Sequence, residues 1–212
     1  MKKVAVMIYP DFCMFEIAPT LEQLAMEGVD NHIFALDKGS YRSEEGFLTT
    51  ADYSIEEIDE SNYEALLFTG FQNENPPVGE RRVNQLILDF YKSGKLVGAI
   101  SAGPVFLLAA GVLEGKEFLC GCPYEGLLEE GFSEEQLSGM IVWEEAVKQV
   151  ETLKFIQEGN IVTANAYGYR EFAMIVSDMI GIEPYPKLHG LSETWKATGR
   201  IKNQPLGTVP NG

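Results

Sequence analysis

VGAISAGPVFLLAAGVLEG, residues 97–115, is the stretch on which the fold class turns. An apolar run, Leu96–Ile100, stops at Ser101. Ala102, Gly103 and Pro104 follow, and residues 105–110 continue as an apolar helix. This is the pattern of a sharp turn between a buried strand and a helix, with Ser101 at its tip. A nucleophile at such a turn sits in strained backbone, and only small neighbours fit around it. Here they are Ala99, Ala102 and Gly103. The N–H groups opening the helix are placed to hold an oxygen that develops negative charge. A serine before a helix is also an ordinary N-cap. Local sequence leaves both readings open.

Outward from this elbow, strands and helices alternate. Residues 3–9 read as a first buried strand, and residues 15–28 as a helix with Ile17, Leu21 and Leu24 at helical spacing. Residues 32–37 are a second strand, and residues 46–54 a short strand or hairpin arm. Residues 64–70 form a third central strand, ending in a polar loop at 72–79. Residues 80–94 are an amphipathic helix burying Val83, Leu86, Ile87 and Phe90. After the elbow, residues 117–123 read as a short strand and turn, 124–131 as a helical segment, and 148–165 as two strands around a Glu-Gly-Asn turn. Residues 167–181 form a last long helix. Continuously apolar strands between helices imply a mainly parallel sheet covered on both faces, a three-layer α/β sandwich. In such sheets ligands bind at the carboxyl ends of the strands. Loops 10–16, 69–75 and 101–104 converge there.

Composition narrows the function classes. The chain has 212 residues, 45% of them apolar, and a formal net charge of −16. That charge excludes a phosphate-reading surface and an anionic membrane as partners. No apolar run approaches the roughly 20 residues of a membrane span. The start, MKKVAVMIYPDF, reads as a first strand rather than a signal peptide, so the expected location is the cytoplasm. Three cysteines, Cys13, Cys120 and Cys122, are an odd number and read as free thiols. Cys120-Gly121-Cys122 lacks the four-ligand spacing of a structural zinc site, even with Cys13 and Glu16 nearby; neither metal nor cofactor is expected. Residues 183–212, rich in Pro and Gly, read as an extension beyond a domain at 1–182, packing on the body or on a dimer partner. Trp195 indicates that part of it is buried.

AISAGPVFLLAAGVLEG, residues 99–115, resembles the elbow of the ThiJ/PfpI superfamily, which is related to class I glutamine amidotransferases and to the Parkinsonism-associated protein deglycase. The resemblance covers residues 3–182. It includes YPDFCMFEIAPTLEQL with Glu16, ALLFTGF with Gly70 and Phe71, FLCGCPYEGLLEEG with Cys122, and the last strand and helix. It implies a flavodoxin-like fold, a homodimer, Glu16 hydrogen-bonded to the tip residue, and backbone N–H groups at Gly70, Phe71 and Ala102 around an oxyanion. The family's tip residue is usually cysteine, and here it is Ser101. Ala102 and Cys122 stand where some members carry histidine, and the loop reads Thr-Gly-Phe rather than Pro-Gly-Gly.

Serine is far less acidic than cysteine and needs a positioned base to attack. The chain has two histidines: His32, read as a surface or edge residue, and His189 in the C-terminal segment, which serves only if that segment folds over the elbow. Two functional readings follow. One is a small-molecule or partner pocket at the Ser101 elbow of a member that has lost the Cys–His pair. The other is a Ser101- or Cys122-dependent hydrolase, hydratase or deglycase acting on a carbonyl, amide or ester, with Glu16 assisting.

Overall fold

The computed structural model of the chain describes residues 1–72 and 76–202. Lys3–Met7 is β1, Met14–Met26 α1, Asp30–Ala35 β2, Gly39–Arg42 β3, Leu48–Ala51 β4, Tyr53–Ser54 β5 and Ala65–Phe68 β6. Arg81–Lys92 is α2, Leu96–Ile100 β7, Pro104–Ala109 α3, Phe118–Leu119 β8, Tyr124–Glu129 α4, Glu134–Leu137 α5 and Met140–Ile141 β9. Trp143–Lys148 is α6, Phe155–Glu158 β10, Ile161–Ala164 β11, Tyr169–Met179 α7 and Gly199–Lys202 β12.

Eight strands form the central sheet in the order β12-β10-β11-β7-β6-β1-β2-β5. All pairs are parallel except β10 with β11. Alternation along β1 shows why both faces are covered. Val4 and Val6 join Ile17 and Leu24 of α1 and Phe172 and Met174 of α7 in one apolar layer. Ala5 and Met7 join Val83 and Phe90 of α2 and Phe106 of α3 in the other. From β1 the chain moves to β2 and β5; from β6 it moves the opposite way to β7 and β11. The reversal lies between β1 and β6, and the loops after β1, β6 and β7 open at its carboxyl end. The mainly parallel α/β sandwich expected from the sequence is the observed fold.

Some expectations change. Residues 148–154 are not strand: α6 ends at Lys148, a turn follows, and β10 starts at Phe155. Within residues 46–54 the hairpin arm is present as expected: Leu48–Ala51 pairs with β3 in a separate hairpin, while Tyr53–Ser54 joins the central sheet as β5. His32 is buried rather than exposed, because Tyr53 stacks on its ring at 4.4 Å. The polar loop at 72–79 and the C-terminal segment are only partly covered, since residues 73–75 and 203–212 lie outside the described residues. From Glu183 onward, Tyr185 N–H donates to Gln23 Oε1 at 3.1 Å, Trp195 covers Phe155, and β12 pairs with β10. Among the described residues no helix is long and apolar enough to cross a membrane.

Candidate functional site

β7 runs without an exposed residue into Ser101, whose φ is +61°. Side chains with a Cβ rarely adopt the left-handed region, and holding one there costs on the order of 1–3 kcal/mol. Two clamps hold it. Ser101 N–H donates to Ala164 O at the end of β11 (2.8 Å), and Gly121 N–H donates to Ser101 O (2.6 Å). Gly121 sits tightly against the elbow, since a Cβ there would lie 3.0 Å from the Ser101 carbonyl carbon. The N-cap of α3 is Gly103, not Ser101, so the capping reading of the serine falls away.

The hydroxyl of Ser101 instead hydrogen-bonds Glu16, a buried residue in the first turn of α1. Glu16 Oε2 also accepts from Gly70 N–H at 2.7 Å and contacts Thr69 Oγ1 at 3.2 Å. The Gly70 amide, which the family resemblance directs at an oxyanion, therefore donates to Glu16 in this arrangement. A Cβ on Gly70 would lie 2.5 Å from Glu16 Oε2 and 2.9 Å from Ser101 Oγ, so the three groups meet only because residue 70 is glycine.

Burial pushes the Glu16 carboxyl above the ordinary glutamate range; hydrogen bonds from Ser101, Gly70, Cys13 and Thr69 oppose this without cancelling it. Thr69 Oγ1 donates to Cys13 O at 2.6 Å and stands 3.2 Å from Glu16 Oε2. Because its pKa is raised, Glu16 holds its proton more tightly in the folded chain than in the unfolded chain. Its contribution to stability is full below the ordinary glutamate range and is lost as pH rises through the raised folded value. Glu16→Gln cannot titrate. Its melting temperature is expected to match the wild type near about pH 4 and to exceed it at neutral pH. Thermal melts across this range test it; a variant equally destabilised at every pH would refute a neutral Glu16.

Cys13, at the N-cap of α1, faces Glu44 and Glu45 from the segment joining β3 to β4. Their ligand atoms lie within 4.8 Å of one another, a spacing that suits a cation. The hydrogen bonding assigns them another task. Glu45 accepts from Met14 N–H (3.2 Å) and Phe15 N–H (2.9 Å), capping α1 from outside the helix. Cys13 donates its S–H to Glu44 Oε1 at 3.2 Å. Burial, then Glu16 and Glu44, push the pKa of that thiol well above the ordinary range.

Neither histidine meets the elbow through a described contact. His32 is held by Tyr63 Oη on Nδ1 (3.0 Å) and Asp30 Oδ2 on Nε2 (2.8 Å). His189 lies in the turn Pro186–His189, where its carbonyl accepts from Arg170. Burial lowers its pKa, while Glu22 raises it and Arg170 lowers it. Phe71 packs edge-on against Tyr9 (5.7 Å) and Phe106 (5.8 Å). Ala102 is buried beside Ser101, Ser101 is half-buried, and Cys122 is half-buried next to Gly121. Sequence reasoning missed Thr69, Tyr9 and Glu45. Thr69 adjoins Gly70, and Tyr9 Oη donates to Thr69 O at 2.5 Å. A cavity of about 210 Å³ at the carboxyl ends of β1 and β2 includes Tyr9, Leu36 and Tyr41 in its lining.

Compared with known proteins, residues 2–178 match the sequence model of the DJ-1/PfpI family. Protein/nucleic acid deglycase 2 of Escherichia coli strain K12 is 29% identical over 120 residues, 55% of this chain and 69% of that protein. An uncharacterized protein of Methanocaldococcus jannaschii is 25% identical over 169 residues, 79% of this chain and 76% of that one. Among solved structures, a DJ-1 superfamily protein from Agrobacterium tumefaciens superposes with a TM-score of 0.72 at 18% identity, covering 90% of this chain and 95% of that one.

Proposed function

Because the chain belongs to the DJ-1/PfpI family, we propose that its Ser101 elbow binds a small carbonyl-bearing molecule without the cysteine chemistry usual at that position. The observation that carries this is the company of the hydroxyl. Its titratable partner is Glu16, a buried carboxyl that burial drives toward its neutral form. The two histidines of the chain have their described partners elsewhere. A serine with a neutral acid beside it is a hydrogen-bonding group rather than a nucleophile.

In this reading Glu16 donates its proton to Ser101 Oγ, and Ser101 donates its own to the ligand carbonyl. The strained turn holds the hydroxyl in place for that bond. The net charge of −16, with Glu44 and Glu45 close to α1, disfavours an anionic ligand. The deglycase relative supports a carbonyl-bearing class. A cytoplasmic homodimer belongs to the same reading, from composition and family resemblance.

The test uses wild-type protein, Ser101→Ala and Gly70→Ala. Prolonged treatment with a fluorophosphonate is expected to leave Ser101 unlabelled in peptide maps. In thermal-shift screens of small aldehydes and amides, a ligand at a hundredfold excess over its Kd should stabilise the wild type by about 2.7 kcal/mol and be recovered unchanged. Gly70→Ala, which pushes a methyl group at Ser101 and Glu16, should abolish that shift. A Ser101 adduct absent from Ser101→Ala, or turnover of the ligand, would overturn the proposal in favour of a serine enzyme.

A further inference from the structure

We propose that Glu45, on the hairpin joining β3 to β4, is the positioning residue of the elbow: it grips the first turn of α1 from outside and so sets where Glu16 stands beside Ser101. α1 has no cap of its own. Its N-cap is Cys13, whose side chain makes no capping bond and turns to Glu44 instead. Ordinary N-caps are Ser, Thr, Asp or Asn, whose side-chain oxygen accepts from the opening N–H groups. Here the two oxygens of Glu45 accept them, Oε2 from Met14 N–H at 3.2 Å and Oε1 from Phe15 N–H at 2.9 Å. Against some desolvation, bonds from Phe15, Ser43 and Met14 hold Glu45 below the ordinary glutamate range, so it serves as a carboxylate.

The first turn is loosely tied to the rest of its own helix. Pro19 lies inside α1 and has no N–H, so Phe15 O loses the bond that residue 19 would otherwise donate to it. The hairpin, in contrast, is tied to the loop before α1. Asp11 N–H donates to Arg42 O (2.9 Å), Glu44 N–H donates to Phe12 O (3.0 Å), and Phe12 bridges to Ser43. Glu45 therefore has a fixed base from which to hold Met14 and Phe15.

Glu16 is the next residue, and its position has little slack. Its Oε2 accepts from Gly70 N–H at 2.7 Å, and a Cβ on Gly70 would lie 2.5 Å from that oxygen and 2.9 Å from Ser101 Oγ. On the inner side, Cys13 N–H donates to Gly70 O at 2.9 Å. The start of α1 is thus held between Gly70 and the hairpin, and Glu45 is the outer of the two anchors. Hydrogen bonds weaken steeply with length and angle, so a small displacement of this turn is felt at the Glu16–Gly70 bond. The consequence for function rests on the reading of Ser101 and Glu16 as a ligand-binding pair: removing Glu45 loosens the pair without altering either residue.

The Gly70 amide reports the Glu16 bond without any ligand. Isotope-labelled full-length wild type, Glu45→Ala, Glu45→Gln, Glu44→Ala and Glu16→Ala are compared by amide NMR, with melting temperatures alongside. Glu16→Ala fixes the position of the Gly70 resonance once the bond is gone. Glu45→Ala is expected to move it at least about half of the way there and to melt about 2–4 °C lower. Glu45→Gln, which keeps one oxygen acceptor, should move it less, and Glu44→Ala should leave it in place. Two results would each overturn the proposal. One is a Gly70 resonance that stays put in Glu45→Ala, whatever the melting temperature does, which makes Glu45 a helix cap and nothing more. The other is a resonance that Glu44→Ala moves as far as Glu45→Ala does, which assigns the effect to the charge of this corner rather than to the two bonds. If Glu45→Ala does not fold, Glu45→Gln decides by the same resonance, and an unmoved one overturns the proposal. A failed ligand search at the elbow would sink the proposed function and leave the Gly70 result standing.

Discussion

Phe106→Ala is expected to destabilise the fold by about 3–5 kcal/mol, the range for removing a large aromatic side chain from a well-packed core. At about 2–4 °C per kcal/mol for a chain of this size, the melting temperature should fall by roughly 10 °C. Phe106 lies on α3 immediately beyond the elbow and is fully buried. Its ring stands 5.1 Å from Tyr9, 5.0 Å from Phe68 and 5.8 Å from Phe71. These four rings tie α3 to the ends of β1 and β6, and Tyr9 extends the tie to Thr69 through its hydroxyl. The cavity should therefore loosen the surroundings of Glu16 and Ser101 as well as the core. Calorimetric unfolding measures the loss, and Phe106→Leu should lose clearly less. A cost under about 1 kcal/mol for the alanine variant would mean that the ring cluster does not support the elbow.

Ending the chain after Ile182 should be as severe. It removes β12, which pairs with β10, and uncovers the free backbone edge of β10. It also removes Trp195, which is 5% exposed and lies 5.9 Å from the fully buried Phe155. Truncating one such aromatic side chain alone costs about 3–5 kcal/mol. The ion pairs of Arg200 and Lys202 with Glu117 go too, although these half-exposed pairs contribute little. The shortened chain should melt at least about 10 °C lower or aggregate, with Trp195→Ala falling between it and the wild type. A truncated chain melting within about 2 °C of the full one would show that the domain at 1–182 is self-sufficient.

Much of the fold is legible in the sequence for one reason: parallel strands covered on both faces must be apolar throughout. β1, β6 and β7 announce themselves as short apolar runs, and α2 by its periodic Val83, Leu86, Ile87 and Phe90. Elements with little apolar signal of their own were not legible. β12 reads Gly-Arg-Ile-Lys and is a strand because β10 offers an unpaired edge. Residues 149–154 precede β10 in one polar-to-apolar run, and only the turn closed by Gln149 O separates them from it.

The candidate site divides in the same way. Local chemistry marks the elbow, because small residues around a serine between an apolar strand and an apolar helix leave few other conformations, and φ of +61° at Ser101 is the result. Order along the chain, through the family resemblance, pairs Glu16 with Ser101. No sequence pattern shows that Gly70 N–H is spent on Glu16, that Glu45 reaches across to cap α1, or that His32 is locked between Asp30 and Tyr63. By itself the sequence determined the α/β sandwich, the elbow and its tip residue, since these follow from periodicity and side-chain size along contiguous segments. Only the tertiary structure decided the burial and hydrogen-bond partners of Glu16 and the partners of each histidine, since burial and hydrogen bonding are set by residues that lie far apart in the chain and meet in the folded state.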